Sequence, residues 1–192
     1  MPTPNPAALD FLLTRRSRPA KTLTTPVPDR ATLETLLTAA ARTPDHGKLE
    51  PWRFIVLTKP ALARLAGLIP ARGAALGIEA DKITKAEHQF ASADLAVAVI
   101  ASPKPSDKIP QIEQVYSAGA VCLALVNAGL AAGWGANWLS GWASHDRDFV
   151  TAGLGLAPHE SVAGFIHLGT ETTAPPERPR PDLGTIATWV ET

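Results

Sequence analysis

From Gln114 to His145 the chain carries no Asp, Glu, Lys or Arg, and within that span Ala118 to Ala132 runs almost wholly apolar. A helix of that length and character could cross a bilayer. Three features argue against a membrane span: Asn127 in its middle, glycines at 119, 129, 133 and 135, and no Lys/Arg cluster at either end to anchor and orient it. The reading that remains is a central helix buried on all sides. In a chain of 192 residues, so much apolar surface on one helix implies that a second subunit covers part of it. With 45% hydrophobic and 19% charged residues, residues 1–192 are expected to form one domain with a self-sufficient core.

Charge narrows the partners. Lys and Arg total 18 and so do Asp and Glu, so no long-range field gathers nucleic acid or an anionic membrane, and the expected partners are small molecules and a second copy of the chain. Cys122 is the only cysteine, which rules out an intramolecular disulfide and a cysteine-based metal site within one chain, and agrees with a reducing, cytoplasmic setting. Met1 to Leu13 has no basic segment ahead of an apolar one, so no export signal is expected.

Along the chain, Asn5-Pro6 reads as a cap and first helical position, with Leu9, Leu12 and Leu13 at helical spacing and an end near Arg15 to Ser17. Asp29 caps a second helix carrying Leu33, Leu36, Leu37 and Ala40, which Pro44 stops. A loop over residues 43–50 leads to a strand from Trp52 to Leu57, and a helix starts near Pro60. Gly73 and Gly77 make residues 70–92 read as a weak helix or mobile excursion. Leu95 to Ala101 is the clearest strand, the apolar helix spans about Pro110 to Ala132, and Trp134 to Leu139 is a short strand. Ser144 is the expected cap of a helix through Ala152, Val162 to Leu168 makes the last strand, and the proline-rich tail over 172–192 is an extended arm. Strands interleaved with helices predict an α+β fold, a mixed sheet wrapped by helices.

Three constellations could carry chemistry. Arg15-Arg16-Ser17-Arg18 places guanidinium groups and a hydroxyl where a helix gives way to a loop; this is a phosphate clamp, or arginines satisfying the helix C-terminus. Arg42 to His46, followed by Pro51-Trp52, is a proline-stiffened ligand platform or a plain connector. Trp134 to Trp142 holds three of the five tryptophans among glycines, which suits a planar ligand or a core strand equally. Gly47-Lys48 lacks the upstream glycine and following hydroxyl of a P-loop, Trp138 replaces the third glycine of a dinucleotide fingerprint, and Ser140 is not in a nucleophile elbow. The five histidines form no i, i+4 ligand pair, and Cys122 lies in the most apolar helix, where a thiol packs inertly.

Taken in order, Arg15-Arg16-Ser17, Ala40 to His46 with Pro51 to Phe54, Gly133 to Ser140, and Gly164 to Thr170 resemble the nitroreductase family, over nearly the whole chain from Leu9 to Thr170. The resemblance implies an intertwined homodimer with two FMN sites at the subunit interface, and NAD(P)H as electron donor. It implies FMN contacts from Arg15, Arg16 and Ser17 at the ribityl phosphate, from Arg42 and His46 with His46 reaching the partner's cofactor, and from Trp138, Leu139 and Ser140 along the cofactor. Ala128, Gly129, Leu130, Ala131, Ala132 and Gly133 match a stretch associated with NAD(P). Two positions depart from the pattern: Leu139 lies where arginine is frequent, and Glu50 where glutamine is. The reaction implied is NAD(P)H-driven reduction of a nitroaromatic, a quinone or a similar small acceptor by ping-pong kinetics. Dehalogenation, flavin fragmentation and FMN binding without turnover stand as alternatives.

Overall fold

The computed structural model describes residues 3–192; Met1 and Pro2, at the head of the segment read for an export signal, lie outside them. In chain order the elements are α1 (Pro6–Thr14), β1 (Leu23–Thr24), α2 (Arg30–Ala40), β2 (Trp52–Thr58), α3 (Lys59–Ala75), α4 (Ala80–Ala91), β3 (Leu95–Ala101), α5 (Gln111–Ala131), β4 (Gly135–Leu139), α6 (Trp142–His145), α7 (Arg147–Leu154), β5 (Ser161–Glu171) and α8 (Leu183–Ile186). The two N-terminal caps form as the sequence requires. Asn5 accepts from the Ala8 amide at 3.1 Å and Asp29 from the Thr32 amide at 2.8 Å.

The sheet runs β2-β3-β5-β4, with β1 paired to the Thr170–Glu171 end of β5. The α+β class is present, and every described pairing is antiparallel, so the mixture lies in helices and strands and not in strand direction. Strand β3 is buried along its whole length because both faces are covered. Ala96, Ala98 and Ile100 meet Leu62, Leu65, Phe90 and Phe149 from α3, α4 and α7. Leu95, Val97 and Val99 meet Leu33, Leu36, Val121 and Leu125 from α2 and α5.

Residues 70–92 correct the sequence reading. Helix α3 continues through Pro70 to Ala75, and α4 packs back on it. Gly73 breaks nothing: a side chain there would strike Ile83, so the glycine is the point of closest approach between the two helices. The glycine at 77 has φ +66° and closes α3 as a left-handed cap. A second correction concerns Ser144, which lies inside α6 and caps nothing. Asp146 starts α7 instead, accepting from the Phe149 amide at 3.1 Å and bidentately from Arg72 at 2.7 and 2.9 Å. A carboxylate that also anchors α3 is the stronger cap.

Helix α5 is long and apolar enough to cross a membrane by composition, yet its inner face packs on the sheet. The burial on all sides expected from sequence is not met within one chain: Ile112, Val115, Tyr116 and Leu123 face outward, as do Leu9, Leu12 and Leu13 on α1. The arm beyond β5 is extended, apart from the single turn of α8, and leaves Leu183, Ile186, Trp189 and Val190 exposed.

His167 on β5 is buried with neither ring nitrogen hydrogen-bonded, and burial pushes its pKa down to about 4. The acidic residue that lines its small cleft is Asp94, which pairs with Lys59 at 3.2 Å. The folded state therefore holds the neutral ring while the unfolded chain protonates near 6.5, so this stability is complete above pH 6.5 and drains away as the pH falls toward 4. The loss is on the order of 3 kcal/mol. Urea unfolding of His167→Leu at a series of pH values should show a flatter limb between pH 6.5 and 4 than the parent chain; parallel curves would reject the assignment.

Candidate functional site

The end of α1 delivers Arg15 and Arg16 to a cavity of about 310 Å³ lined also by Arg18, Gly133, Trp134 and Glu171. The segment is stitched to β4 by backbone and side chain. The Arg18 amide donates to the Ala136 carbonyl at 2.9 Å, and Asn137 Nδ2 donates to the Arg18 carbonyl at 2.6 Å. Ser17 fixes Arg15 by accepting from its Nη2 at 2.9 Å. Arg18 faces Glu171 at 3.3 Å, so these two charges offset each other.

Among the described residues, Arg15 and Arg16 have no such offset. The Nε of each is buried without a hydrogen-bond acceptor. Burial, then Arg180, then Arg16 depress the pKa of Arg15. An orphaned buried donor on a charged group is costly unless an acceptor arrives, and clustered guanidinium groups fit an anion with several oxygens. Arg180 was missed by the sequence reading. It belongs to the arm, between Pro179 and Pro181, where composition suggested only an extended surface tail. The signal that could have found it is an arginine held between two prolines whose φ is fixed.

Trp138 lies on β4, partly exposed, with its Nε1 donating to the Ala163 carbonyl at 3.3 Å and its indole laid over Gly164, where a Cβ would collide with it. Leu139 is half-buried beside it and Ser140 is exposed. Within the 128–133 stretch, Gly129 packs against Leu168 and Ala136, while Leu130 and Gly133 line the arginine cavity and Ala131 and Ala132 are exposed. Ala128 packs partly against the α2–α5 core.

Arg42 and His46 lie elsewhere. Their loop is pinned to the first turns of α5: Ser117 Oγ donates to the Pro44 carbonyl at 2.8 Å, Trp52 Nε1 donates to Ser117 Oγ at 3.1 Å, and His46 Nδ1 lies 2.7 Å from Glu113 Oε2. The arginine cavity sits at the other end of α5, beside Leu130 and Gly133. From Glu113 to Leu130 a helix rises roughly 25 Å. The residues named from the sequence thus fall into two groups, separated by the length of the central helix.

A larger cavity of about 620 Å³, mostly apolar but bordered by Arg30, Glu34 and Asp94, holds none of these residues, and neither does one of about 520 Å³ lined by Lys104, Gln114 and His159. The cavity of about 310 Å³ is the candidate site because it gathers Arg15 and Arg16, whose buried Nε atoms have no acceptor among the described residues. Cys122 is not among the residues lining it, and burial pushes that thiol up to about 12.

Comparison with known proteins bears on the family and the fold. The family model described as "Nitroreductase family" matches residues 12–170. A protein of Escherichia coli K12 named "Putative NAD(P)H nitroreductase YdjA" is 33% identical over 163 residues, covering 85% of this chain and 87% of its own. A Haemophilus influenzae protein named "Putative NAD(P)H nitroreductase" is 34% identical over 165 residues, covering 85% of this chain and 88% of its own. Among solved structures, a nitroreductase-like family protein from Bacillus cereus superposes with a TM-score of 0.79 at 21% identity over 100% of both chains. A nitroreductase with bound FMN from Bacteroides fragilis superposes with a TM-score of 0.73 at 22% identity, over 95% of this chain and 98% of that one. The family model over most of the chain and relatives more than 30% identical decide the matter: the chain belongs to the nitroreductase family.

Proposed function

We propose that the protein is an FMN-dependent NAD(P)H oxidoreductase of the reducing cytosol that works as a homodimer on nitroaromatic, quinone or similar small organic acceptors. The observation that carries this reading is the division of the site: buried arginines without acceptors at one end of α5, and the Arg42–His46 loop at the other. Two copies whose central helices pair in opposite directions would bring each arginine cavity next to the other copy's loop. The outward residues Val115, Tyr116 and Leu123 of α5 and the leucines of α1 supply the apolar surface for that pairing. The exposed Trp189 and Val190 give the arm a surface to lay on the second copy.

In this arrangement Arg15, Arg16 and Arg180 hold the phosphate end, with Ser17 orienting Arg15. Trp138, Leu139 and Ser140 lie along the ring system, and β4, rising about 3.4 Å per residue, gives an extended ligand a straight floor. Leu130 and Gly133, with the exposed Ala131 and Ala132, border the approach for NAD(P)H, backed by Ala128 and Gly129. From the second copy, Arg42 sets positive charge near the ring edge where electron density accumulates, and His46 contributes a polar contact. When bound, FMN supplies the two-electron relay between NAD(P)H and an acceptor that occupy the same face in turn.

The test is an absorption spectrum of the purified protein, then anaerobic NADPH, with the molecular mass measured on the same sample. Flavin bands that bleach, in a particle of twice the chain mass, are the expected result. A colourless protein that takes up no added FMN would refute the reading.

A further inference from the structure

We propose that Glu113 is the positioning residue for His46: its carboxylate accepts a hydrogen bond from Nδ1–H of the imidazole and so turns Nε2, as a lone-pair acceptor, outward from the loop. The inference rests on the reading above that His46 contacts the cofactor of the second copy. His46 Nδ1 and Glu113 Oε2 are 2.7 Å apart, across 67 positions of sequence, so this contact is made by the fold and not by local chain geometry.

The loop's backbone does not need the pair. Ser117 already accepts from Trp52 and donates to the Pro44 carbonyl, and Asp45 Oδ2 accepts from the Glu50 amide at 2.6 Å. Gly47 has no room for a side chain because Ile109 lies against it. Gly47, Lys48 and Glu50 all adopt left-handed φ values, of +74°, +54° and +47°, a strained run that persists only where the surroundings hold it. Both side chains of the pair are about half exposed in the single chain, so as a surface ion pair it adds little to stability. What Glu113 does fix is the ring: which nitrogen carries the proton, and where the other one points. A free neutral imidazole is under no such constraint, and a carboxylate hydrogen-bonded to one nitrogen selects the tautomer presented by the other. Glu113 also sits in the first turn of α5, where its charge is favoured by the helix dipole and does not depend on His46 for a partner.

The experiment uses FMN-free protein and long-range nitrogen–proton correlation of the His46 ring at a pH where it is neutral, together with titration of FMN. The parent chain and Glu113→Gln, which keeps a carbonyl acceptor, should show the Nδ1–H form. Glu113→Ala should shift the ring toward Nε2–H and weaken FMN binding on the order of tenfold. In a His46→Ala background, Glu113→Ala should have no further effect. An unchanged tautomer in Glu113→Ala, or additive losses in the double variant, would overturn the positioning role while His46→Ala still weakens FMN. If His46→Ala binds FMN as the parent does, the cofactor contact itself fails, and the proposal with it.

Discussion

Arg16→Ala is expected to lose its FMN on dialysis while its apoprotein is at least as stable as the parent. Charge-assisted hydrogen bonds to phosphate contribute about 1.5–3 kcal/mol each, so removing this guanidinium should weaken FMN binding by roughly ten- to a hundredfold. The sign of the stability change is the sharper discriminator. If Arg16 served only to satisfy the end of α1, alanine would cost stability. The structure gives the opposite balance: Arg15 and Arg16 each carry an unsatisfied buried Nε, and Arg15 is destabilised as a cation by burial, by Arg180 and by Arg16 itself. Deleting Arg16 relieves its repulsion with Arg15; Arg180, the third of the group, is itself paired with Glu177 at 3.1 Å. Retained flavin, or a lowered melting temperature of the apoprotein, would contradict the clamp.

The largest stability effect is expected at the opposite side of the sheet. Arg53 on β2 donates to both oxygens of Glu160, at 2.7 and 2.8 Å, and Glu160 also accepts from the Ala157 amide at 3.0 Å. These bonds, Arg53 first, outweigh burial and hold the Glu160 carboxyl down at about 2. Arg53→Ala strands a carboxylate that is 7% exposed, at a cost of about 3 kcal/mol, the lower end for breaking a buried pair because Arg53 itself reaches solvent. The pH dependence has a definite sign. The unfolded group titrates near 4.5 and the folded one near 2, so this stabilisation is complete above pH 4.5 and is lost as the pH falls from there toward 2. Urea midpoints between pH 7 and 2.5 should show that limb flattened in Arg53→Ala. A variant that tracks the parent there would reject the pair as an anchor. The His167 window lies higher in pH, so the two effects separate in a single series.

Legibility in the sequence followed the physics of each signal. Asn5 and Asp29 were readable as caps because a side-chain oxygen accepting from the helix amides is a local event. Strand β3 was readable because a strand covered on both faces is apolar at every position. Helix α4 was obscured by Gly73, whose smallness means either a broken helix or a close contact, and only the position of Ile83 decides between them. At α7 the nearer hydroxyl of Ser144 lost to Asp146 because Arg72, in sequence far away, raised the value of the carboxylate. The site divides in the same manner. Arg15 to Ser17 sit together in sequence and stay together in space, whereas Arg180 joins them only through the path of the arm.

The span of α5 between the two half-sites also bears on how damage is inherited. In the proposed dimer each site draws its arginines from one copy and its His46 loop from the other, so a defect at either end of the helix is not private to the chain that carries it. Two chains, each disabled at a different end, would on mixing form a heterodimer with one site doubly impaired and one wholly intact. The unit on which loss of function acts is then the assembled site, and a single gene can harbour two lesions that complement one another.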